Sequence, residues 1–273
     1  MTFNRIEQMI VGMHHNVQII PIPAFKDNYI WLIHNGHQAV AVDPGDAYPV
    51  IQTLTELNLS LTGILITHHH QDHIAGVSAL IKAYPDGDVY APRLESFSFS
   101  FSHTPVDADQ VVHLTDIGLN LSVMHLPGHT LGHVAYYTEN KLGDQWLLCG
   151  DTLFGAGCGR LFEGTPEQML HSLKRLAALA GNTEVYCSHE YTLRNIEFAL
   201  SLEPSNPILQ KRKLDTQALR DKGMASLPSS IELERATNPF LRCHIASIQV
   251  GSGLRSTDEV AVFTRIRELR NVY

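Results

Sequence analysis

Gly63-Ile64-Leu65-Ile66-Thr67-His68-His69-His70-Gln71-Asp72-His73 couples a short apolar run to four potential metal ligands, His68, His70, Asp72 and His73, within six consecutive positions. Imidazole and carboxylate donors together suit borderline divalent ions such as zinc, iron or manganese. The run before them reads as a buried strand, and Ile74, Val77, Leu80 and Ile81 after them follow helical spacing. Short His tracts are often only solvated loops. A cluster wedged between strand and helix is different, because ligands in α/β proteins gather at the carboxyl ends of strands.

Three more candidates occupy the same kind of position. His129 follows the run Leu121–Leu126 in Pro127-Gly128-His129-Thr130, Asp151 follows Trp146-Leu147-Leu148-Cys149-Gly150, and His189 follows Val185-Tyr186-Cys187-Ser188. One zinc with an open position takes three protein ligands. Seven at four strand ends therefore point to two ions sharing a bridging group. His69 and Gln71 fall between ligands and are not expected to bind metal.

Around this motif, strand-like runs at 18–20, 29–33 and 39–42 alternate with helical patterns at 48–57, 74–84 and 166–179, the signature of an α/β layer protein. After His189 the pattern turns helical, at 192–202, 207–222 and 257–270, punctuated by Pro204, Pro207, Pro228 and Pro239. The division expected is an N-terminal extension over 1–16, a catalytic α/β domain over 17–190 and a helical domain over 191–273. Ser96 to Ser102 alternates Ser and Phe, which reads as a short half-buried strand or an insertion with one aromatic face.

Composition narrows the class. The chain has 273 residues, ample for a sizeable core, and a formal net charge of −8. Residues 1–203 hold 9 Lys+Arg against 21 Asp+Glu and residues 204–273 hold 11 against 7, so −12 and +4 make up the −8. An acidic chain is a poor long-range partner for phosphate, so nucleic-acid binding is not expected. Cys149, Cys158, Cys187 and Cys243 lack C-x-x-C spacing and fit reduced, mostly buried thiols. No run is long and apolar enough for a membrane span, and residues 1–16 resemble neither a signal nor a transit peptide. A cytoplasmic monomer is expected.

Thr67 to His73 matches the T-H-x-H-x-D-H signature of the metallo-β-lactamase superfamily. The chain further resembles the hydroxyacylglutathione hydrolase (glyoxalase II) branch, through Ala24–Trp31, Val42–Asp46, Pro127–His133, Cys149–Phe154, Gly157–Arg160, His189–Thr192 and Asn238–Arg242. The resemblance implies an αββα sandwich followed by a small helical domain. It places His68, His70 and His129 on one ion, Asp72, His73 and His189 on the other, and Asp151 between them. It also assigns Arg160, Tyr191, Arg267 and Arg270 to the glutathione moiety, with Phe162 standing where some relatives carry a substrate-binding Tyr. Asp43 and His133 are candidates to orient ligand imidazoles.

The implied activity is hydrolysis of S-(2-hydroxyacyl)glutathione, chiefly S-D-lactoylglutathione, the second step of methylglyoxal detoxification. Two divalent ions, zinc or else iron or manganese, against Asp72, Asp151 and a hydroxide leave about +1 to stabilise an oxyanion. Bound water near neutral pKa makes a separate base unnecessary, and a thiolate leaves without a dedicated acid. The rivals are a mononuclear-iron enzyme resembling persulfide dioxygenases and a non-catalytic metal-binding module; the full ligand set and the basic C-terminal helix count against both.

Overall fold

Every residue of Asn28–His34 is buried, so this strand must be covered on both faces. The computed structural model describes residues 12–14, 17–139 and 145–273. They form two compact units. One comprises the described residues up to His125 together with those of Gly132–Gly150; the other comprises Leu126–Leu131 and Asp151–Tyr273.

The first unit holds β1 (Gly12–His14), β2 (Val17–Ala24), β3 (Asn28–His34), β4 (Gln38–Val42), α1 (Ala47–Leu57), β5 (Ser60–Leu65), α2 (Gln71–Ile74), α3 (Val77–Ala83), β6 (Asp88–Pro92), β7 (Thr104–Val106), β8 (Val111–Leu114), β9 (Leu119–His125), β10 (Val134–Glu139) and β11 (Gln145–Gly150). Strands β1 to β7 form one sheet in chain order, antiparallel as far as β4 and parallel from there on. Parallel neighbours need a crossover, and α1 and then α2–α3 supply it. Val50, Leu54, Val77 and Leu80 pack against Ile20, Ile22, Ile30, Leu32 and Ile64 on one face. On the other, the Tyr136 hydroxyl of β10 donates to Ile66 O at 2.8 Å, locking the antiparallel set β8-β9-β10-β11 against the first sheet.

Two local outcomes differ from expectation. The helical pattern expected over 74–84 is split, because Gly76 N–H donates to Pro44 O at 3.0 Å and a Cβ at Gly76 would lie 2.6 Å from that oxygen. The main chain of the β4–α1 connection thus takes the place of the helix ladder. The Ser96–Ser102 alternation does give exposed serines and half-buried phenylalanines, but no strand. Of the expected extension over 1–16, only Gly12–His14 lies within the described residues, and it adds an edge strand to β2.

The second unit holds β12 (Leu153–Phe154), β13 (Gly157–Cys158), α4 (Pro166–Ala177), β14 (Glu184–Cys187), α5 (Thr192–Leu202), α6 (Pro207–Asp221), β15 (Ser229–Ser230), α7 (Ile231–Thr237), α8 (Ala246–Gly251) and α9 (Glu259–Val272). Helix starts follow their caps. Thr165 and Gln168 close a capping box on α4, Asn206 with Pro207 begins α6, and Asp258 begins α9. A buried ion pair, Arg212 Nη2 to Glu234 Oε1 at 2.6 Å, anchors the loop between β12 and β13. There the second Glu234 oxygen accepts from Ala156 N at 2.8 Å, and Asn238 and Asn195 donate to Gly157 O and Gly155 O. All four cysteines are buried and free, as expected. Among the described residues no helix is long and apolar enough to cross a membrane.

Candidate metal centre

In the first unit the ligand loop leaves β5 and ends at His70, which is extended, before α2 begins. His68 Nε2 and His70 Nδ1 come within 3.1 Å, and His73 Nε2 lies 3.6 Å from Asp72 Oδ2. Asp43 organises this group. Its carboxylate accepts from Thr67 N and Thr67 Oγ1, both at 2.7 Å, and from His73 Nδ1 at 3.1 Å. A carboxylate only accepts, so the proton of His73 sits on Nδ1 and Nε2 presents a lone pair. Thr67 Oγ1, having donated to Asp43, accepts from His68 Nδ1 at 3.0 Å, which sets His68 in the same tautomer. One buried aspartate therefore orients two imidazoles.

The chain pays for this closeness in glycines. A Cβ at Gly45 would fall 1.8 Å from Asp72 O, and one at Gly150, where φ is +48, 2.4 Å from Thr67 Oγ1 and 2.8 Å from His133 Nε2. His133 is fully buried and stacks on His68 with ring centroids 4.9 Å apart. Asn28 donates from Nδ2 to Asp72 Oδ2 at 3.0 Å; its place in the Ala24–Trp31 block is the only sequence signal for that role.

The second unit brings His129, Asp151 and His189 together. Asp151 Oδ2 lies 3.4 Å from His129 Nε2 and 3.4 Å from His189 Nε2. That exceeds a normal hydrogen bond. Two donors each about 2.0–2.1 Å from one tetrahedral ion are separated by roughly 3.4 Å, so each pair has the spacing of ligands sharing an ion. His129 Nδ1 donates to Arg160 O at 2.7 Å, freeing Nε2 for metal. His189 stacks on Tyr191 with ring centroids 4.7 Å apart, and Phe154 meets both rings edge-on.

The basic residues assigned to substrate are held differently from one another. Arg160 is exposed, its guanidinium 5.8 Å from the exposed Phe162 ring. Arg267 is only 8% exposed; it donates from Nη1 to Cys158 O at 2.8 Å and stacks on Phe240. Arg270 is half-buried and its Nε and Nη2 both reach Asn195 Oδ1. Burial, with the neighbouring Arg267 and Arg194 cations, lowers the Arg270 pKa from the ordinary arginine value. Glu234, Asn195 and Asn238, which shape the loop bearing Cys158 and Arg160, carried no chemical signal beyond the Asn238–Arg242 block.

Comparison with known proteins agrees with this geometry. Residues 25–189 match the model of the metallo-β-lactamase superfamily and residues 190–273 that of the hydroxyacylglutathione hydrolase C-terminus. A hydroxyacylglutathione hydrolase of Methylobacillus flagellatus is 57% identical over 254 residues, 93% of this chain and 98% of that protein. The crystal structure of BLEG-1 B3 metallo-β-lactamase shares the fold at a TM-score of 0.59 and 23% identity, covering 82% of this chain and 99% of that one. The crystal structure of TTHA1623 in a di-iron-bound form has a TM-score of 0.53 at 28% identity, covering 62% and 91%. His/Asp clusters of metal-binding type on this fold, joined to the matching C-terminal region, place the chain in the hydroxyacylglutathione hydrolase family of the metallo-β-lactamase superfamily.

Proposed function

We propose that the protein hydrolyses S-(2-hydroxyacyl)glutathione, chiefly S-D-lactoylglutathione, to glutathione and the 2-hydroxy acid. The observation that carries the reading is the Asp151 oxygen equidistant from two imidazoles, the arrangement a bridging carboxylate needs. His68, His70 and His129 would hold one ion and Asp72, His73 and His189 the other, with zinc as the metal in both positions. Bound there, two divalent ions supply Lewis acidity and bring the pKa of water down toward about 7. The chain's own residues do the rest. Asp43 and Arg160 O keep the ligand imidazoles in the tautomer that offers Nε2. Asp72 and Asp151 offset part of the charge of two divalent ions, leaving about +1 with a hydroxide bound, which favours a developing oxyanion.

In the reaction a C–O bond forms from water, the C–S bond breaks, and the products are a carboxylic acid and a thiol. A thiol with a pKa of about 8.5 departs without a general acid. Arg160, Tyr191, Arg267 and Arg270 bind the glutathione moiety, the exposed Arg160 and half-buried Arg270 by contact and the buried Arg267 by holding the Cys158–Gly159 main chain. Residues 17–190 then act as the metal-binding domain and 191–273 as the helical substrate domain of a cytoplasmic monomer. Purified protein should carry two metal ions per chain and cleave S-lactoylglutathione without oxygen uptake, and Asp151→Ala should lose most activity. Oxygen consumption with a persulfide substrate, the thioester remaining intact, would replace this reading.

A further inference from the structure

The Ser/Phe alternation is unexplained by hydrolysis. Phe97 and Phe101 have ring centroids 5.0 Å apart and Phe99 and Phe101 5.5 Å, so the segment curls; in a strand, residues four apart stand roughly 13 Å apart. All three rings pack against the core cluster that contains Ile74, Val77 and Leu80, the helical face just after the ligand motif. Its polar side faces the motif itself. Glu95, whose side chain is 2% exposed, pairs with His69 Nδ1, and Ser98 Oγ accepts from Gln71 Nε2 at 2.7 Å. His69 and Gln71 are the two motif residues that alternate with the ligands.

We propose that segment 93–103 is a positioning element for the metal-ligand loop, gripping its two non-ligand side chains so that His68, His70 and Asp72 are arranged before any ion arrives. The proposal rests on the reading of this motif as a metal site. The reason is energetic. Gathering imidazoles and carboxylates within a few ångströms costs conformational entropy and mutual desolvation; a buried Glu95 carboxylate seated against His69, with three rings anchored in the core, transfers that cost from metal binding to folding. Supports one layer out from the ligands typically change metal affinity by about 10–100-fold.

The test compares the metal-loaded wild type with Glu95→Ala/Ser98→Ala, with His69→Ala/Gln71→Ala and with the quadruple variant. Either pair should release zinc to a chelator at least about tenfold faster, and the quadruple variant should be no worse than the worse pair. In metal-free protein, amides of 68–73 should exchange faster in both pairs. Saturating zinc should restore kcat with KM unchanged. Wild-type zinc release in a folded variant would overturn the proposal, whether the change fell instead on KM, which would make the segment a wall of the substrate site, or only on the unfolding midpoint. A wild type that holds no metal would sink the metal-site reading first, and this proposal with it.

Discussion

Asp43→Asn separates orientation of the metal ligands from ordinary stability. Asp43 is 3% exposed and accepts three hydrogen bonds, two of them on Oδ2. Its φ is +52, a conformation asparagine tolerates well, so the substitution adds no backbone strain. It does replace one acceptor oxygen with NH2. If the amide nitrogen takes the Oδ1 place it opposes Thr67 N–H; if it takes the Oδ2 place it opposes both Thr67 Oγ1–H and His73 Nδ1–H. Bonds to a charged acceptor contribute about 1.5–3 kcal/mol each, so one or two lost should cost about 1.5–6 kcal/mol of metal-free stability. Loss of the enforced His73 tautomer, and of the His68 tautomer relayed through Thr67, should weaken metal binding by about 10–100-fold, equivalent to about 1.4–2.8 kcal/mol. Urea unfolding of the metal-free protein measures the first effect and zinc titration against a competing chelator the second. A variant with a lowered urea midpoint but wild-type zinc affinity would refute the orienting role of Asp43.

Gly159→Ala should be damaging beyond its size, because the new Cβ would lie 2.0 Å from Asp151 O and 3.1 Å from His129 Nδ1. Zinc affinity should fall at least about tenfold, whereas Gly223→Ala, with φ +69 and nothing within 4 Å, should cost only roughly 1–2 kcal/mol of stability and leave zinc binding alone. Burial raises the thiol pKa values of Cys158, Cys187 and Cys243, that of Cys243 to about 12. The folded state therefore disfavours thiolate, and the stability this contributes is complete below the ordinary value of 9.0 and lost as pH climbs from there toward about 12. Iodoacetamide at pH about 8 should label these thiols only on unfolding; rapid labelling of the native protein would contradict their burial.

The helices, and the residues proposed here as ligands, were legible in the one-dimensional pattern for a local reason. Strand-then-ligand spacing, proline and N-cap residues act over a few positions, so α5 falls on the expected 192–202 and α4, α6 and α9 within two residues of expectation at their starts. His129, Asp151 and His189 announce themselves because each ends an apolar run. What the pattern alone left open depended on contacts between distant segments. The helix break at Gly76 follows from a carbonyl 32 residues earlier, at Pro44. The burial of Arg267 follows from the Cys158 carbonyl, 109 residues away, and from the face of Phe240. Likewise the tautomers of His73 and His129 are set by Asp43 and by the backbone of Arg160. Composition and periodicity state which groups are available; which lone pair each imidazole turns toward a metal is decided by the acceptor that tertiary folding places at its other nitrogen.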